Sequence, residues 1–301
     1  MLTRRSFLKL VGGVLTAGVG TASYAFGIEP GLRLTTTRYA VEPPNWPRGL
    51  KLRIVALADI HVCEPWMSLS RLEGIVETAN ALEGDIVVLL GDYLVGHPYI
   101  TGKVAPRLWS AALARLSAPL GVHAILGNHD WWEDRAAQRS GHGPIFARLA
   151  LEDAGLPVYE NDAARLEKDG RAFWLAGLAD QVALRPGLGG RKRRGFVGLD
   201  DLPGTLAKTA AEEPVILLAH EPDIFPAVPD RVALTLCGHT HGGQVRLFGY
   251  SPVVPSSFGN RYAYGQIVED GRHLVVSGGL GCSIFPVRFG VPPEIMVVEL
   301  S

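Results

Sequence analysis

Two histidines separated by one residue stand at the end of an apolar run, and the backbone there has few ways to use them. Val232 to Cys237 reads as a buried strand, followed by Gly238, His239, Thr240, His241, Gly242, Gly243 and Gln244. Imidazoles on alternate positions converge on one point only if the chain bends, and Gly238, Gly242 and Gly243 permit a bend. Such a turn suits a metal site. Taken alone, a His-x-His is often two solvated loop histidines, so its company decides the matter.

That company is extensive. Four other segments close an apolar run with side chains able to bind a metal: Asp59 and His61; Gly91 and Asp92; Gly127, Asn128, His129 and Asp130; and His220. Together with the His-x-His turn they hold five of the nine histidines. Leu52 to Ala58, Asp85 to Leu90, Gly121 to Leu126 and Val215 to Ala219 are the strands that deliver them. Phe173 to Leu178, Arg272 to Ser277 and Ile295 to Leu300 are predicted as further strands. Ser68 to Leu82, Val104 to Leu116, Ile145 to Ala154 and Leu202 to Ala211 have helical spacing. Strands alternating with helices predict an α/β fold whose site lies beyond the carboxyl ends of the strands.

Charge and cysteine content narrow the function. A formal net charge of −1 lacks the broad basic face of a nucleic-acid binder, so nucleic acid is not an expected partner. Three cysteines do not make a disulfide framework, and Cys63 and Cys237, each near a candidate ligand, read as packing residues. The 301 residues suffice for one large core.

The chain opens with Thr3, Arg4, Arg5, Ser6, Phe7, Leu8 and Lys9, then a glycine-diluted apolar run to about Ile28. This resembles a twin-arginine export signal, the alternative being a plain membrane anchor. The expected organisation is therefore a signal or anchor over 1–29, an edge strand and proline-containing linker over 30–50, and one catalytic domain over 51–301. Export implies the twin-arginine machinery as a partner and a place in the periplasm or on the outer face of the cytoplasmic membrane.

The ordered blocks Asp59-x-His61, Gly91-Asp92, Gly127-Asn128-His129-Asp130, His220 and Gly238-His239-Thr240-His241 resemble the signature of the calcineurin-like metallophosphoesterases. The resemblance implies two central mixed β-sheets packed face to face and flanked by helices. It implies two divalent metal ions, one held by Asp59, His61 and His241, the other by Asn128, His220 and His239, with Asp92 shared. Mixed imidazole, carboxylate and amide donors suit Mn, Fe, Zn or Co. The implied reaction is hydrolysis of a phosphodiester or diphosphate bond by in-line attack of a metal-bridging hydroxide, with His129 at the leaving group. For Asp130 both a part in orienting a histidine and a part in holding the turn stay open.

Tyr93-Leu94-Val95 follows Asp92 where phosphoprotein phosphatases of this superfamily carry Asp-Arg-Gly, which argues against a phosphoprotein substrate. The block Ala219 to Asp223 and the tail from Gly279 to Ile295 look like the exported branch of small phosphodiesterases, similar to UDP-2,3-diacylglucosamine hydrolases. The expected partner is a small-molecule or lipid-linked phosphate. Trp66, Met67, Trp131 and Trp132 follow ligand-bearing turns, where they either pack loops or meet acyl chains and a membrane surface. Arg288 is a candidate substrate contact, and Arg185, Arg191, Lys192, Arg193 and Arg194 form a basic glycine-rich loop. The competing reading is a metal-bound envelope binding protein of the same fold without chemistry.

Overall fold

The computed structural model describes residues 3–187 and 193–301. Helix α1 (Arg4–Ser23) starts at Thr3, whose hydroxyl accepts the Ser6 N–H, and continues through a π turn (Tyr24–Ile28) into α2 (Glu29–Leu32). The 29 residues from Arg4 to Leu32 are long and apolar enough to cross a membrane by length and composition. Their last turns are packed on the domain. Glu29 is buried and accepts the Val291 N–H at 2.9 Å, while the Arg288 N–H bonds the Ala25 carbonyl at 2.9 Å.

β1 (Thr35–Val41) then forms an edge strand, and β2 (Leu52–Leu57) enters the core. Next come α3 (Leu69–Asn80), β3 (Ile86–Leu90), α4 (Pro106–Leu113) and β4 (Val122–Ile125). α3 is capped by Ser68, whose hydroxyl accepts the Arg71 N–H, and buries Leu72, Ile75, Val76 and Ala79 at helical spacing. Pro106 occupies the first turn of α4, where a missing N–H has no helical partner to lose. Three short helices follow: α5 (Asn128–Trp132), α6 (Arg135–Ser140) and α7 (Phe146–Asp153). The second half runs β5 (Asp162–Lys168), β6 (Arg171–Gly177), α8 (Leu202–Ala207), β7 (Val215–Leu218), β8 (Val232–Cys237), β9 (Gly265–Glu269) and β10 (Arg272–Val276). β11 (Glu294–Leu300) returns to the first sheet.

The strands form two mixed sheets, ordered β1-β11-β2-β3-β4 and β5-β6-β7-β8-β10-β9. In the first, β11 is antiparallel to β2, while β2, β3 and β4 are parallel neighbours. In the second, β6, β7, β8 and β10 are parallel, with β5 and β9 as antiparallel edges. One apolar layer joins the sheets, shared by Ile54, Val88 and Met296 of the first and Phe173, Leu218 and Val275 of the second. Helices cover the outer faces, with Leu72, Trp109 and Leu151 on one side and Leu202 and Leu206 on the other. This is the predicted pair of mixed sheets flanked by helices. β5 and β9 were not predicted, since an edge strand exposing alternate residues carries little apolar signal.

Candidate metal centre

The five blocks leave the carboxyl ends of β2, β3, β4, β7 and β8 and meet at one end of both sheets. Tight backbone bends bring them there. Asp59, His61, Asp92, His239 and His241 all have φ between 49° and 69°, a region costly for residues with a Cβ and retained where the surroundings enforce it. Gly242 and Gly243 bend as predicted, with φ of 58° and 79°. Gly238 serves close approach instead: a Cβ there would lie 2.6 Å from Asp59 Oδ2.

On one side, His61 Nε2 lies 3.1 Å from His241 Nε2 and 3.7 Å from Asp92 Oδ2, and His241 Nε2 lies 3.5 Å from Asp59 Oδ1. On the other, His220 Nε2 is 3.2 Å from Asp92 Oδ2, and His239 Nδ1 is 2.8 Å from Asn128 Oδ1. Asp92 Oδ2 therefore stands between the two groups. Its other oxygen accepts the His129 N–H at 2.8 Å. Asp59 accepts the His239 N–H at 2.9 Å, which ties the β2 turn to the β8 turn.

The donor atoms fit cations. His61 Nδ1 bonds the Leu94 carbonyl at 2.6 Å and His220 Nδ1 the Leu90 carbonyl at 2.7 Å. A carbonyl only accepts, so each Nδ1 carries a proton, and in the neutral ring each Nε2 presents a lone pair to the centre. His220 Nε2 is buried and makes no hydrogen bond among the described residues; burial opposes its protonation, yet Asp92 Oδ2 at 3.2 Å lifts its pKa well above the usual histidine value, and a cation there would take the place of that proton. Burial drives His61 down to about 3 and His241 well below the usual histidine range, so both imidazoles stay neutral and able to ligate. Burial also pushes the Asp59 carboxyl up to about 7, partly offset by His220, and nearby positive charge would favour its ionised form. Among the described residues, three clusters of donor atoms come close enough to share an ion: Asp59, His61 and His241; Asp59, Asp92 and His220; and His220, Glu221 and His239.

His129 is nine-tenths buried and faces a cavity of about 560 Å³ that opens on Asp92, Asn128, His239 and His241. Its Nε2 lies 3.2 Å from Ser283 Oγ, and its ring packs edge-on against Trp132 with centroids 4.9 Å apart. Burial, opposed by Asp92, holds its pKa below the usual histidine value. Asp130 holds the turn. Its carboxylate accepts the N–H groups of Asp92, Tyr93, Leu94 and Gly127 at 2.9 to 3.2 Å.

Other predicted contacts divide. Trp132 lines the cavity, with the Arg185 guanidinium 5.2 Å over its ring. Trp131 turns into the core, as does Met67, whereas Trp66 is half-buried and bonds the Tyr99 carbonyl. Arg288 is completely buried behind His241, with Nε on the Gly281 carbonyl at 3.0 Å and Nη1 on the Val291 carbonyl at 2.9 Å. Its Nη2 lies 3.3 Å from His241 Nδ1, so it meets a candidate ligand from behind and not the cavity. In the basic loop, Arg193 Nη1 bonds the Gln138 carbonyl, while Arg191 and Lys192 lie outside the described residues. Two residues at the centre were not predicted. Glu221 Oε1 lies 3.8 Å from His239 Nδ1, and its position beside His220 was the available signal. Ser283 carried none.

Comparison with known proteins agrees with the geometry. The model of the family described as calcineurin-like phosphoesterase matches residues 52–243. The chain is 32% identical over its whole length to uncharacterized metallophosphoesterase YkuE of Bacillus subtilis (strain 168), covering 98% of that protein. It is 27% identical to phosphodiesterase YaeI of Escherichia coli (strain K12), with full coverage of both. A transmembrane protein with metallophosphoesterase domain from Danio rerio is 34% identical over 83% of this chain and 53% of its own length. With a family match over 192 residues that spans all five candidate blocks, the chain belongs to the calcineurin-like phosphoesterases.

Proposed function

We propose that this metal-dependent phosphoesterase hydrolyses a phosphodiester or diphosphate bond in a lipid-linked or nucleotide-linked substrate on the outer side of a membrane. Asp59, His61 and His241 hold one divalent cation, Asn128, His220 and His239 the other, and Asp92 serves both. The chemistry that bound cations supply is polarisation of phosphoryl oxygens and activation of water as a nucleophile near neutral pH. Donor set and burial favour Mn, Fe, Zn or Co.

The chain's own groups do the rest. Asp130 and Asp59 fix the backbone of the ligand turns, so the donors need little rearrangement. His129, held by Ser283 and Trp132, is placed to donate a proton or hydrogen bond to the departing oxygen. Trp132 and the Arg185 guanidinium above it offer a stacking and a cationic surface to the leaving group. The twin arginines and the apolar helix support export with the helix retained as an anchor, and the Danio rerio relative is named a transmembrane protein.

The observation that carries the substrate class is the cavity. Its lining joins polar side chains, among them Asp92, Asn128, His129, His239 and His241, to an apolar set of Pro252, Val253, Pro255, Ile284, Phe285 and Val287. A diester with one apolar arm matches both sets. The test is cleavage of an aromatic phosphodiester against its monoester by manganese-loaded protein, with Asp92→Ala as control. Diester cleavage lost in the control is expected; a fully loaded protein inert toward every diester and diphosphate class would overturn the proposal.

A further inference from the structure

The apolar wall of the cavity continues outward into two exposed loops, and both lie next to the root of the N-terminal helix. The path between them is short. The Tyr24 ring packs edge-on against Phe289 with centroids 6.0 Å apart, and Phe289 accepts the Arg246 N–H at 2.8 Å. Residues 247–250 then close a tight hairpin, with Leu247 and Tyr250 exchanging N–H and carbonyl at 2.8 and 2.9 Å. Phe248 stands at its tip, fully exposed and in the left-handed region, with φ of 52°.

Neither loop carries a charge. Residues 247–258 and 279–287 contain no Asp, Glu, Lys or Arg, in a chain with 20% charged residues. Tyr250, Val253, Ile284 and Phe285 are all exposed, as are Phe26, Ile28 and Leu32 at the end of the helix. Val253, Ile284 and Phe285 also line the cavity. Exposed apolar residues grouped at one cavity and at the adjoining helix root mark an interaction site. A helix able to span a bilayer, rooted in the same face by the Glu29 and Arg288 hydrogen bonds, identifies what covers it.

We infer that residues 247–258 and 279–287 dock into the bilayer surface beside the N-terminal helix, so that the cavity opens at the level of the lipid headgroups. The inference rests on Arg4–Leu32 acting as a membrane anchor and is independent of the chemistry at the metal centre. Aromatic and aliphatic tips without charge enter the headgroup and acyl boundary favourably. A phosphate at headgroup level then reaches the candidate metal ligands while an acyl chain stays on the apolar lining.

The test uses full-length protein in phosphatidylcholine vesicles containing phosphatidylglycerol. Cys63, Cys237 and Cys282 are buried, so a cysteine added on the surface labels selectively. Phe248→Cys and Ile284→Cys are compared with Asp270→Cys, in the exposed turn before β10 and at the opposite end of that strand from the site. Each carries an environment-sensitive fluorophore. Expected are blue-shifted emission and several-fold stronger quenching by lipid-borne nitroxides at 248 and 284 than at 270. Equal quenching at all three in protein that floats with the vesicles would overturn the docking while leaving the anchor intact. Failure to float would overturn both. A blue shift that grows with protein concentration, without lipid quenching, would assign the face to a second copy of the chain and overturn the docking.

Discussion

A methyl group placed on Gly96 would sit 2.1 Å from Cε1 of His129. The loop that follows Asp92 thus forms a floor under the imidazole, and only a hydrogen fits between them. Gly96→Ala is expected to tilt His129 while leaving the candidate ligands in place. Steady-state kinetics on a diester should show kcat reduced about 10²-fold, the scale of a positioned acid or base, with manganese affinity by calorimetry unchanged. An unaltered kcat would remove His129 from the reaction.

Asp130 joins two ligand turns through four backbone N–H groups. An amide at this position keeps one acceptor oxygen and turns an NH₂ toward donors. Asp130→Asn should therefore lower unfolding free energy by about 3 kcal/mol, as expected for charged hydrogen bonds lost in a buried site. Urea denaturation of the metal-free protein reads this directly. A variant as stable as the wild type would mean that the turn is held by other contacts.

The candidate blocks were legible because each ends an apolar run, and a strand end is where α/β folds place their sites. The division of Asp59, Asp92, His220 and His239 between two cations came only from the family resemblance. What the residues could not reveal were relationships across the chain. Ser283 reaches His129 over 154 positions, and nothing in its neighbours anticipates the contact. Arg288 has the look of a phosphate contact, yet its fork closes on the carbonyls of Gly281 and Val291 inside the protein. Left-handed backbone at five candidate ligands is equally invisible, since His and Asp disfavour it unless tertiary contacts enforce it. The helix root at Ala25 and Glu29 was hidden for the same reason.

The burial of Arg288 separates a structural part from a substrate contact. Arg288→Met leaves the Gly281 and Val291 carbonyls without their charged donor and is expected to cost about 3 kcal/mol of stability. KM of the folded fraction should stay within about twofold, since the side chain does not line the cavity. Denaturation midpoints and KM are measured on the same preparation. Full stability with a many-fold rise in KM would restore Arg288 as a substrate contact.

His97 is buried, with neither ring nitrogen hydrogen-bonded among the described residues, and burial brings its pKa down to about 4. Its folded pKa is thus below its unfolded value near 6.5. The sign follows from proton binding. Above about pH 6.5 both states are neutral here and the full contribution is present; on acidification the unfolded state takes up the proton first, so stability falls between about 6.5 and 4 and levels off below. His97→Leu should flatten the dependence of unfolding free energy on pH in that window by at most about 1.4 kcal/mol per pH unit. Identical slopes for both proteins at equal metal content would show that His97 protonates in the folded state without penalty.

Glu221 occupies a position between ligand and support. One oxygen lies 3.8 Å from His239 Nδ1, and the other accepts the Gln181 N–H at 3.1 Å. Behind it, burial and the Glu221 charge push the Asp180 carboxyl well above the usual carboxylate range, so Asp180 stays protonated and places no second charge beside it. Among the carboxylates that act on His239, Glu221 has the largest influence, ahead of Asp92 and Asp223. Glu221→Gln preserves volume and an acceptor for Gln181 while removing that charge. The cation held by His220 and His239 should weaken by about 10- to 100-fold, the range for groups that support metal ligands, and the one held by His61 and His241 should remain. Metal content after dialysis against a graded chelator distinguishes the outcomes: one cation retained per chain locates Glu221 at the His239 side, whereas equal loss of both would show that its charge acts on the centre as a whole.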